Sequence, residues 1–95
     1  MFEWDDAKNA ANIAKHGVSF STAVRIFDGP VLTAVDDRFD YGEIRENSIG
    51  LVDGVLFLVV THTDRNGIIR IISARPAKRQ ERERYVAEIR QRTKP

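Results

Sequence analysis

Residues 55–75, VLFLVVTHTDRNGIIRIISAR, contain the two apolar runs that decide the fold of this chain. The run at 55–61 is uninterrupted, which is typical of a central strand that is buried on both faces of a sheet. The turn residues at 64–67 lead into a second β-branched run at 68–74. We therefore predict an antiparallel pair of strands at the centre of a sheet.

Two more strands are predicted before this pair. A β-rich segment at about 44–51 is joined to the central run by the tight-turn dipeptide Asp53-Gly54. A shorter segment at 31–35 is followed by a polar loop over 36–42. The four segments in this order predict an antiparallel meander.

Two helices are predicted in front of the meander. Asp5 is placed to cap a helix that runs to residue 16, and Gly17 supplies the left-handed position that closes it. Ser19 begins a second helix, whose apolar residues follow helical spacing until the Asp28-Gly29-Pro30 stop.

A last helix follows the meander. Pro76 is predicted in its first turn, and it runs to about residue 92 with Tyr85, Val86 and Ile89 facing the sheet. The chain is therefore expected to be one α+β domain over residues 1–95, with two N-terminal helices, a four-stranded antiparallel sheet and a C-terminal helix.

Composition excludes several classes of protein. Hydrophobic residues make up 42% of the chain and charged residues 31%, as in ordinary globular domains. The chain has no cysteine, which rules out disulfides and thiolate metal sites. No apolar run approaches the roughly 20 residues of a membrane span, and the acidic, aromatic start is unlike a signal peptide, so we expect a cytoplasmic protein.

Sequence motifs give no support for a metal or a nucleotide cofactor. The two histidines, His16 and His62, fall on different predicted elements. We expect His16 to cap the end of a helix or interact with its dipole, and His62 to lie at the end of a strand near solvent. No glycine-rich phosphate loop and no serine nucleophile motif is present. We therefore predict no metal site and no cofactor.

Positive charge is concentrated at the C-terminal end. Eight basic and three acidic residues give residues 75–95 a net charge of +5, so the overall charge of +1 leaves −4 for residues 1–74. Such a division is typical of a face that binds a polyanion, although a solvated helix with mixed charges has the same composition.

Arginines in the predicted strands are the first candidate site residues. Simple alternation puts Ile69, Ile71, Ser73 and Arg75 on one face of the last strand, and Arg70, Ile72 and Ala74 on the other. Each guanidinium must reach an acid, solvent or a bound anion. Arg45 on the neighbouring strand and Arg65 in the adjacent turn are expected to extend the same positive surface. Alternatively, Arg70 pairs with Glu43 or Glu46 across strands.

The last helix adds further candidates. Lys78, Arg82 and Tyr85 are spaced to share one side, with Glu81 beside them. Basic residues of this kind stabilise the charge that develops on a phosphate during RNA cleavage, and a glutamate or tyrosine can assist proton transfer. The alternatives are core packing for Tyr85 and a solvated ion pair with Arg82 or Arg84 for Glu81. Trp4 is expected to be a core anchor.

The chain resembles the BrnT family of toxins along nearly its whole length. The opening of the pattern consists of Phe2-Glu3-Trp4-Asp5, Lys8, Asn12, Lys15-His16-Gly17-Val18-Ser19-Phe20 and Ala23. Its middle and closing parts consist of Gly42-Glu43-Ile44-Arg45, Gly50, Val59-Val60-Thr61, Ile69-Arg70-Ile71-Ile72-Ser73-Ala74-Arg75, Ala77, Glu81-Arg82 and Tyr85.

This resemblance implies a RelE-like ribonuclease fold and metal-independent RNA cleavage that arrests translation. It also implies a cognate, BrnA-like antitoxin, a toxin–antitoxin heterotetramer, and promoter DNA contacted only through the antitoxin. By position, the implied active surface consists of Arg65, Arg70, Arg75, Glu81, Arg82 and Tyr85.

We expect Arg65, Arg75, Glu81 and Tyr85 to be catalytic, and Arg45, Arg70, Lys78 and Arg82 to bind RNA. Two alternatives stay open at this stage. One is a module that binds nucleic acid without cleaving it, and the other is a protein whose main activity is to occupy an antitoxin.

Overall fold

The structure is a computed structural model that describes residues 1–38 and 40–93. It is an α+β domain with three helices and a five-stranded mixed sheet. The strands are β1 (Phe2–Glu3), β2 (Leu32–Asp36), β3 (Arg45–Val52), β4 (Leu56–Arg65) and β5 (Ile68–Pro76). The helices are α1 (Asp6–His16), α2 (Phe20–Ala23) and α3 (Arg79–Thr93), and a 3₁₀ segment (Val24–Asp28) follows α2.

The sheet has the strand order β1-β5-β4-β3-β2. Strands β2 to β5 form the predicted antiparallel meander. The prediction of four strands and a purely antiparallel sheet was wrong at one edge, where β1 pairs with β5 in parallel through Phe2–Ile69 and Glu3–Arg70. A two-residue strand has no periodicity of its own, so it could not be recognised before its partner was in place.

The N-terminal helices agree with the prediction only in part. As expected, the Asp5 side chain accepts a hydrogen bond from the backbone N–H of Lys8, and Gly17 closes α1 at φ 71°. The predicted second helix is shorter: α2 has four residues, after which the chain tightens into the 3₁₀ segment. This segment lies directly on β3, where a Cβ on Gly50 would be 2.7 Å from the Cβ of Ile26.

The strands β4 and β5 are longer than predicted. Only Asn66 and Gly67 form the turn between them, with φ of 55° and 83°, while Arg65 is still paired with Ile68. Pro76 does not begin the last helix; it pairs with Leu58 at the end of β5. A proline is tolerated at a strand end, because its missing N–H is not needed by the ladder there.

A β-bulge in β5 reverses the faces predicted for its C-terminal half. Thr61 pairs with Ser73 but the next residue, His62, pairs with Ile71, so Ile72 is an extra residue. As a result Ile71 and Ala74 are both buried in the same core. The predicted grouping of Ser73 and Arg75 with Ile71 was therefore wrong, and both residues lie on the opposite face of the sheet.

The main core lies between one face of the sheet and the N-terminal helices. Its largest fully buried side chains are Phe20, Ile26, Leu58, Val60 and Ile71. Trp4 packs edge-on against Phe20 with ring centroids 6.2 Å apart, which confirms its predicted role as a core anchor.

Asn12 is a buried polar residue at the centre of this packing. Its Nδ2 donates to the carbonyls of Val18 and Ala74, both at 2.8 Å, and its Oδ1 accepts from the N–H of Ala74 at 3.1 Å. The carboxamide thus hydrogen-bonds to the β5 edge at a point beyond the end of β1.

His62 is buried inside β4 rather than near solvent at a strand end, so that expectation was wrong. Its Nε2 is 2.7 Å from the hydroxyl of Ser48, and its ring meets Phe27 edge-on at 5.3 Å. Burial lowers the pKa of His62, while the charge of Glu46 raises it to a smaller extent. Over the part of the chain that the structure describes, no helix is both long and apolar enough to cross a membrane.

Candidate functional site

The second face of the sheet is only partly covered by α3. In the uncovered part lies a depression of about 380 Å³, which we call the central cleft. Its floor and walls come from β2 to β5 and from the segment after β2. The lining residues are Val35, Asp36, Asp37, Arg38, Asn47, Val59, Thr61, Ser73 and Arg75.

Arg75 and Glu81 form the best-defined polar contact beside the cleft. Two guanidinium nitrogens of Arg75 donate to the two carboxylate oxygens of Glu81 at 2.8 and 2.9 Å. Glu81 lies in the first turn of α3 and also accepts from the backbone N–H of Lys78 at 2.8 Å, as in a helix capping box. The carboxylate is therefore held from two sides and fixes the guanidinium at the end of β5.

This contact decides the protonation of both groups. The hydrogen bonds from Arg75 lower the pKa of Glu81 to about 2, against a smaller opposing effect of burial. The same hydrogen bonds raise the pKa of Arg75. The predicted alternative for Glu81, a solvated pair with Arg82 or Arg84, is thus replaced by a pair that links α3 to β5. Near neutral pH, Glu81 is an ionised carboxylate without the affinity for a proton that a general base needs.

A second ion pair lies on the opposite side of the cleft, and sequence reasoning missed it. The Asp36 side chain is almost completely buried and accepts from the Nε and Nη2 of Arg38 at 2.9 and 3.0 Å, and from the hydroxyl of Tyr41 at 3.3 Å. These contacts, chiefly with Arg38, lower the pKa of Asp36 to about 2 and raise that of Arg38.

Arg38 and Arg75 therefore face the same cleft, and the charge of Arg38 lowers the pKa of Arg75 slightly. The sequence carried only a weak indication of Arg38, namely an acid and a base two residues apart in a polar loop. Arg38 is held at the cleft by its hydrogen bonds to Asp36, the last residue of β2, and the sequence does not show which face of the sheet that carboxylate lies on.

Between the two arginines the cleft floor is polar but uncharged. The hydroxyl of Thr61 donates to the Oδ1 of Asn47 at 2.6 Å, and Ser73 lies on the neighbouring strand. Asn47 and Thr61 are paired residues of β3 and β4, so both side chains point to this face. Hydroxyl and amide groups of this kind can hydrogen-bond a sugar or a phosphate oxygen.

The structure does not bring Tyr85 into the cleft. Tyr85 is buried on another side of α3, where its hydroxyl donates to the carbonyl of Pro30 at 2.8 Å and its ring packs edge-on against Phe57. Burial raises the pKa of its hydroxyl. The alternative of core packing is therefore confirmed for Tyr85, whereas Lys78 and Arg82 are exposed.

The remaining predicted arginines lie towards the opposite end of the strands. Arg65 is six residues along β4 from Val59, the partner of Arg75, which corresponds to about 20 Å. Arg65 and Arg45 are 3.3 and 3.8 Å from the carboxylate of Glu43. Arg45 also stacks over the ring of Tyr41 at 4.0 Å, and its buried Nε has no hydrogen-bond partner among the described residues.

Arg70 has a different partner from either of the two predicted. Its guanidinium is 3.4 Å from the carboxylate of Glu3, so the expectation of a pair with Glu43 or Glu46 was wrong. The reason is β1, which places Glu3 beside Arg70 in register. Of the eight predicted site residues, Arg75 and Glu81 lie together beside the cleft, and the exposed Lys78 and Arg82 flank them at the start of α3. Arg45 and Arg65 lie together elsewhere, at the carboxylate of Glu43.

The cleft combines two arginines, which can bind an anion, with the carboxylates of Asp36 and Asp37. An arginine has five N–H donors. Glu81 accepts one from each terminal nitrogen of Arg75 and the carbonyl of Pro76 accepts another from Nη1 at 3.3 Å, so two of the five donors are left for a phosphoryl oxygen. Among residues 1–38 and 40–93, no three His, Cys, Asp or Glu residues lie together as a metal site would require.

Comparisons with known proteins identify the family of this chain. Residues 4–81 match the family model of the ribonuclease toxin BrnT of type II toxin–antitoxin systems. The structure is similar to the 1.1 Å crystal structure of the Brucella abortus ribonuclease toxin BrnT, with a TM-score of 0.62 and 26% identity. That match covers 83% of this chain and 99% of the Brucella chain. Among curated proteins, none matches this chain.

Proposed function

Because this chain belongs to the BrnT family of ribonuclease toxins of type II toxin–antitoxin systems, we propose that it is an endoribonuclease whose active site is the central cleft. The observation that carries this assignment is the fixed guanidinium of Arg75, held by Glu81 at the edge of a polar cleft that Arg38 also lines. Two positive groups around a recess of this size suit one phosphodiester group of RNA.

The proposed reaction is transfer of the phosphoryl group to the neighbouring 2′-hydroxyl. The 2′-oxygen gives its proton to water and forms a bond to phosphorus, while the bond from phosphorus to the 5′-oxygen breaks and that oxygen takes up a proton from water. The products are a 2′,3′-cyclic phosphate and a 5′-hydroxyl end. Arg75 and Arg38 stabilise the negative charge that develops on the phosphoryl oxygens.

Glu81 acts in this proposal as a positioning residue. Its pKa of about 2 makes it a poor proton acceptor near neutral pH, whereas its two hydrogen bonds hold Arg75 in one orientation. Lys78 and Arg82 are proposed to contact the RNA where it passes α3. More distant parts of the RNA are proposed to contact Arg45, Arg65 and Arg70. Tyr85 is not included in the proposed site.

We further propose that cleavage needs no metal and no cofactor, since the arginines supply positive charge at the phosphate. Cleavage of cellular RNA by the cytoplasmic protein would arrest translation. A cognate, BrnA-like antitoxin would neutralise it in a heterotetramer and contact promoter DNA on behalf of the complex. Membership of a family of ribonuclease toxins of type II toxin–antitoxin systems supports this part of the proposal.

A second candidate function is binding of RNA without turnover. The observation that favours it is that two of the carboxylates around the cleft, Asp36 and Glu81, have pKa values of about 2 and are held by arginines. Such a protein would bind RNA with strong salt dependence and leave it intact.

The deciding experiment is inducible expression in a bacterium, with growth and total RNA followed over time. We expect growth arrest and RNA decay from the wild-type chain and neither from Arg75→Ala. The matched control is Arg79→Ala, which removes an exposed arginine that pairs with Glu83 away from the cleft and should arrest growth as the wild type does.

The purified wild-type protein is then incubated with RNA, with and without EDTA. Cleavage that persists in EDTA supports the metal-independent reaction. Intact RNA from folded, antitoxin-free protein, together with salt-dependent binding, would establish the non-catalytic alternative.

A further inference from the structure

A second basic surface lies next to the central cleft, on α1. Lys8, Lys15 and His16 line a depression of about 230 Å³ together with Ala11, Asn12, Ile72 and Ser73. We call it the α1 depression. Lys8 and Lys15 are seven residues apart, so they project from the same side of the helix, towards the C-terminal half of β5.

The α1 depression adjoins the central cleft at the β5 edge of the sheet. Ser73 lines both, because the bulge at Ile72 places it where the sheet face meets the β5 edge. On its other side the cleft adjoins a groove along α3, with which it shares Asn47, Val59 and Arg75. Arg75 therefore lies midway along one recessed path that leads from α3 across the sheet to α1.

The charges along this path differ at its two ends. In the middle, Arg75 and Arg38 are each matched by a carboxylate, and the α3 groove contains Glu88 as well as Arg84 and Arg92. By contrast, no acidic residue lines the α1 depression. Within residues 1–38 and 40–93, neither lysine has a carboxylate oxygen within 4 Å. Asp5 lies outside the lining, but the backbone N–H of Lys8 and, to a smaller extent, the charge of Lys8 lower the pKa of Asp5, so the described residues offset the positive charge of the depression only in part.

We propose that Lys8 and Lys15 form an RNA-binding subsite, which holds a phosphate of the same single strand beyond the nucleotide that is cleaved at Arg75. This rests on the proposed function, and it adds that the substrate is a single-stranded RNA long enough to cross from the cleft to α1. A single strand suits the path, because it can follow a recessed groove by its backbone.

The test uses a double variant that removes both charges, Lys8→Gln/Lys15→Gln. Both lysines are exposed and glutamine keeps their helix propensity, so the variant should fold. The matched control, Arg79→Gln/Arg90→Gln, also removes two exposed charges, from parts of α3 that do not line this path.

Binding is measured with an unstructured 12-nucleotide RNA carrying 2′-O-methyl groups, which prevent cleavage. We expect the lysine variant to bind about tenfold more weakly than the wild type at low salt. The slope of log K against log salt should fall by about 1.4, which is the effect of losing two phosphate contacts to a single strand. The control should stay within about twofold of the wild type.

Cleavage is measured with a dinucleotide, whose single phosphate reaches only the site at Arg75, and with the unmodified 12-nucleotide RNA. The lysine variant should cleave the dinucleotide as the wild type does and the longer RNA with a raised KM. The proposed subsite would be overturned if the wild type and the lysine variant bound the 12-nucleotide RNA with the same affinity and the same slope of log K against log salt, even if both cleaved RNA. If the wild type cleaves neither substrate, the ribonuclease assignment fails, while a reduced slope in the lysine variant still supports the subsite.

Discussion

The guanidinium of Arg75 and the carboxylate of Glu81 are joined by two parallel hydrogen bonds of 2.8 and 2.9 Å. The contact links the end of β5 to the first turn of α3, and the N–H of Lys78 holds the same carboxylate. A paired guanidinium of this kind is restricted to one orientation, which is the requirement for stabilising charge in a transition state.

Changing Glu81 should therefore reduce RNA cleavage although Glu81 does not touch the reacting atoms. We expect Glu81→Ala to lower kcat by about tenfold to a hundredfold, somewhat less than the hundredfold to thousandfold loss typical of removing a charge-stabilising donor, as in Arg75→Ala. Glu81→Gln keeps one acceptor and should be intermediate. Because the pKa of Glu81 is about 2, the wild-type rate should show no loss from protonation of this group between pH 8 and pH 5.

Glu83→Gln is the matched control, since Glu83 pairs with the exposed Arg79 on α3. A Glu81→Ala enzyme with wild-type kcat and an unchanged pH profile would show that the ion pair merely stabilises the start of α3.

Removing the hydroxyl of Tyr85 should affect stability and leave cleavage unchanged. In Tyr85→Phe the carbonyl of Pro30 loses its hydrogen bond, which should lower the free energy of unfolding by about 1 kcal/mol. The measurements are urea denaturation and the initial rate of RNA cleavage. A large loss of kcat in a fully folded Tyr85→Phe protein would show that the Tyr85 hydroxyl takes part in catalysis.

Replacing Asn12 should be among the most destabilising single changes in the chain. Asn12→Ala leaves three buried backbone groups without partners, two of Ala74 and one of Val18. We expect a loss of about 2–4 kcal/mol in the free energy of unfolding, measured by urea denaturation. Asn9→Ala removes a single hydrogen bond, to the N–H of Phe20, and should cost about 1 kcal/mol. Equal effects of the two changes would contradict the central role assigned to Asn12.

Protonation of His62 should destabilise the fold in mild acid. Its pKa is lowered in the folded state, so the unfolded chain binds the proton more strongly. The stability that this group contributes is complete above about pH 6.5 and is lost as the pH falls from there towards the folded pKa. The measurement is the urea midpoint between pH 8 and pH 5.

His62→Leu should fold and should lose most of this pH dependence, because the leucine side chain fills the same buried site without a titrating group.

The contributions of Glu81 and Asp36 to stability change over a lower pH range. Their lowered pKa values mean that their stabilising effect is lost only as the pH drops from about 4.5 towards 2.

Most of the fold follows from local patterns along the chain. The apolar runs of β4 and β5, the turn at Asn66-Gly67 and the caps of α1 depend on neighbouring residues, so they were predictable before any tertiary contact was known. The α+β class and the family also follow from the sequence, because their patterns extend along the chain in order.

The candidate site was decided by tertiary structure. Arg75 lies in the cleft because one extra residue, Ile72, reverses the faces of β5, and simple alternation predicts the opposite. Arg38 is held at the same cleft by the carboxylate of Asp36 at the end of β2, and Tyr85 packs on Phe57 away from the cleft. Periodicity reports which residues are near one another along one element, whereas a site is made where separate elements meet. That meeting depends on register, bulges and packing between residues far apart in the chain.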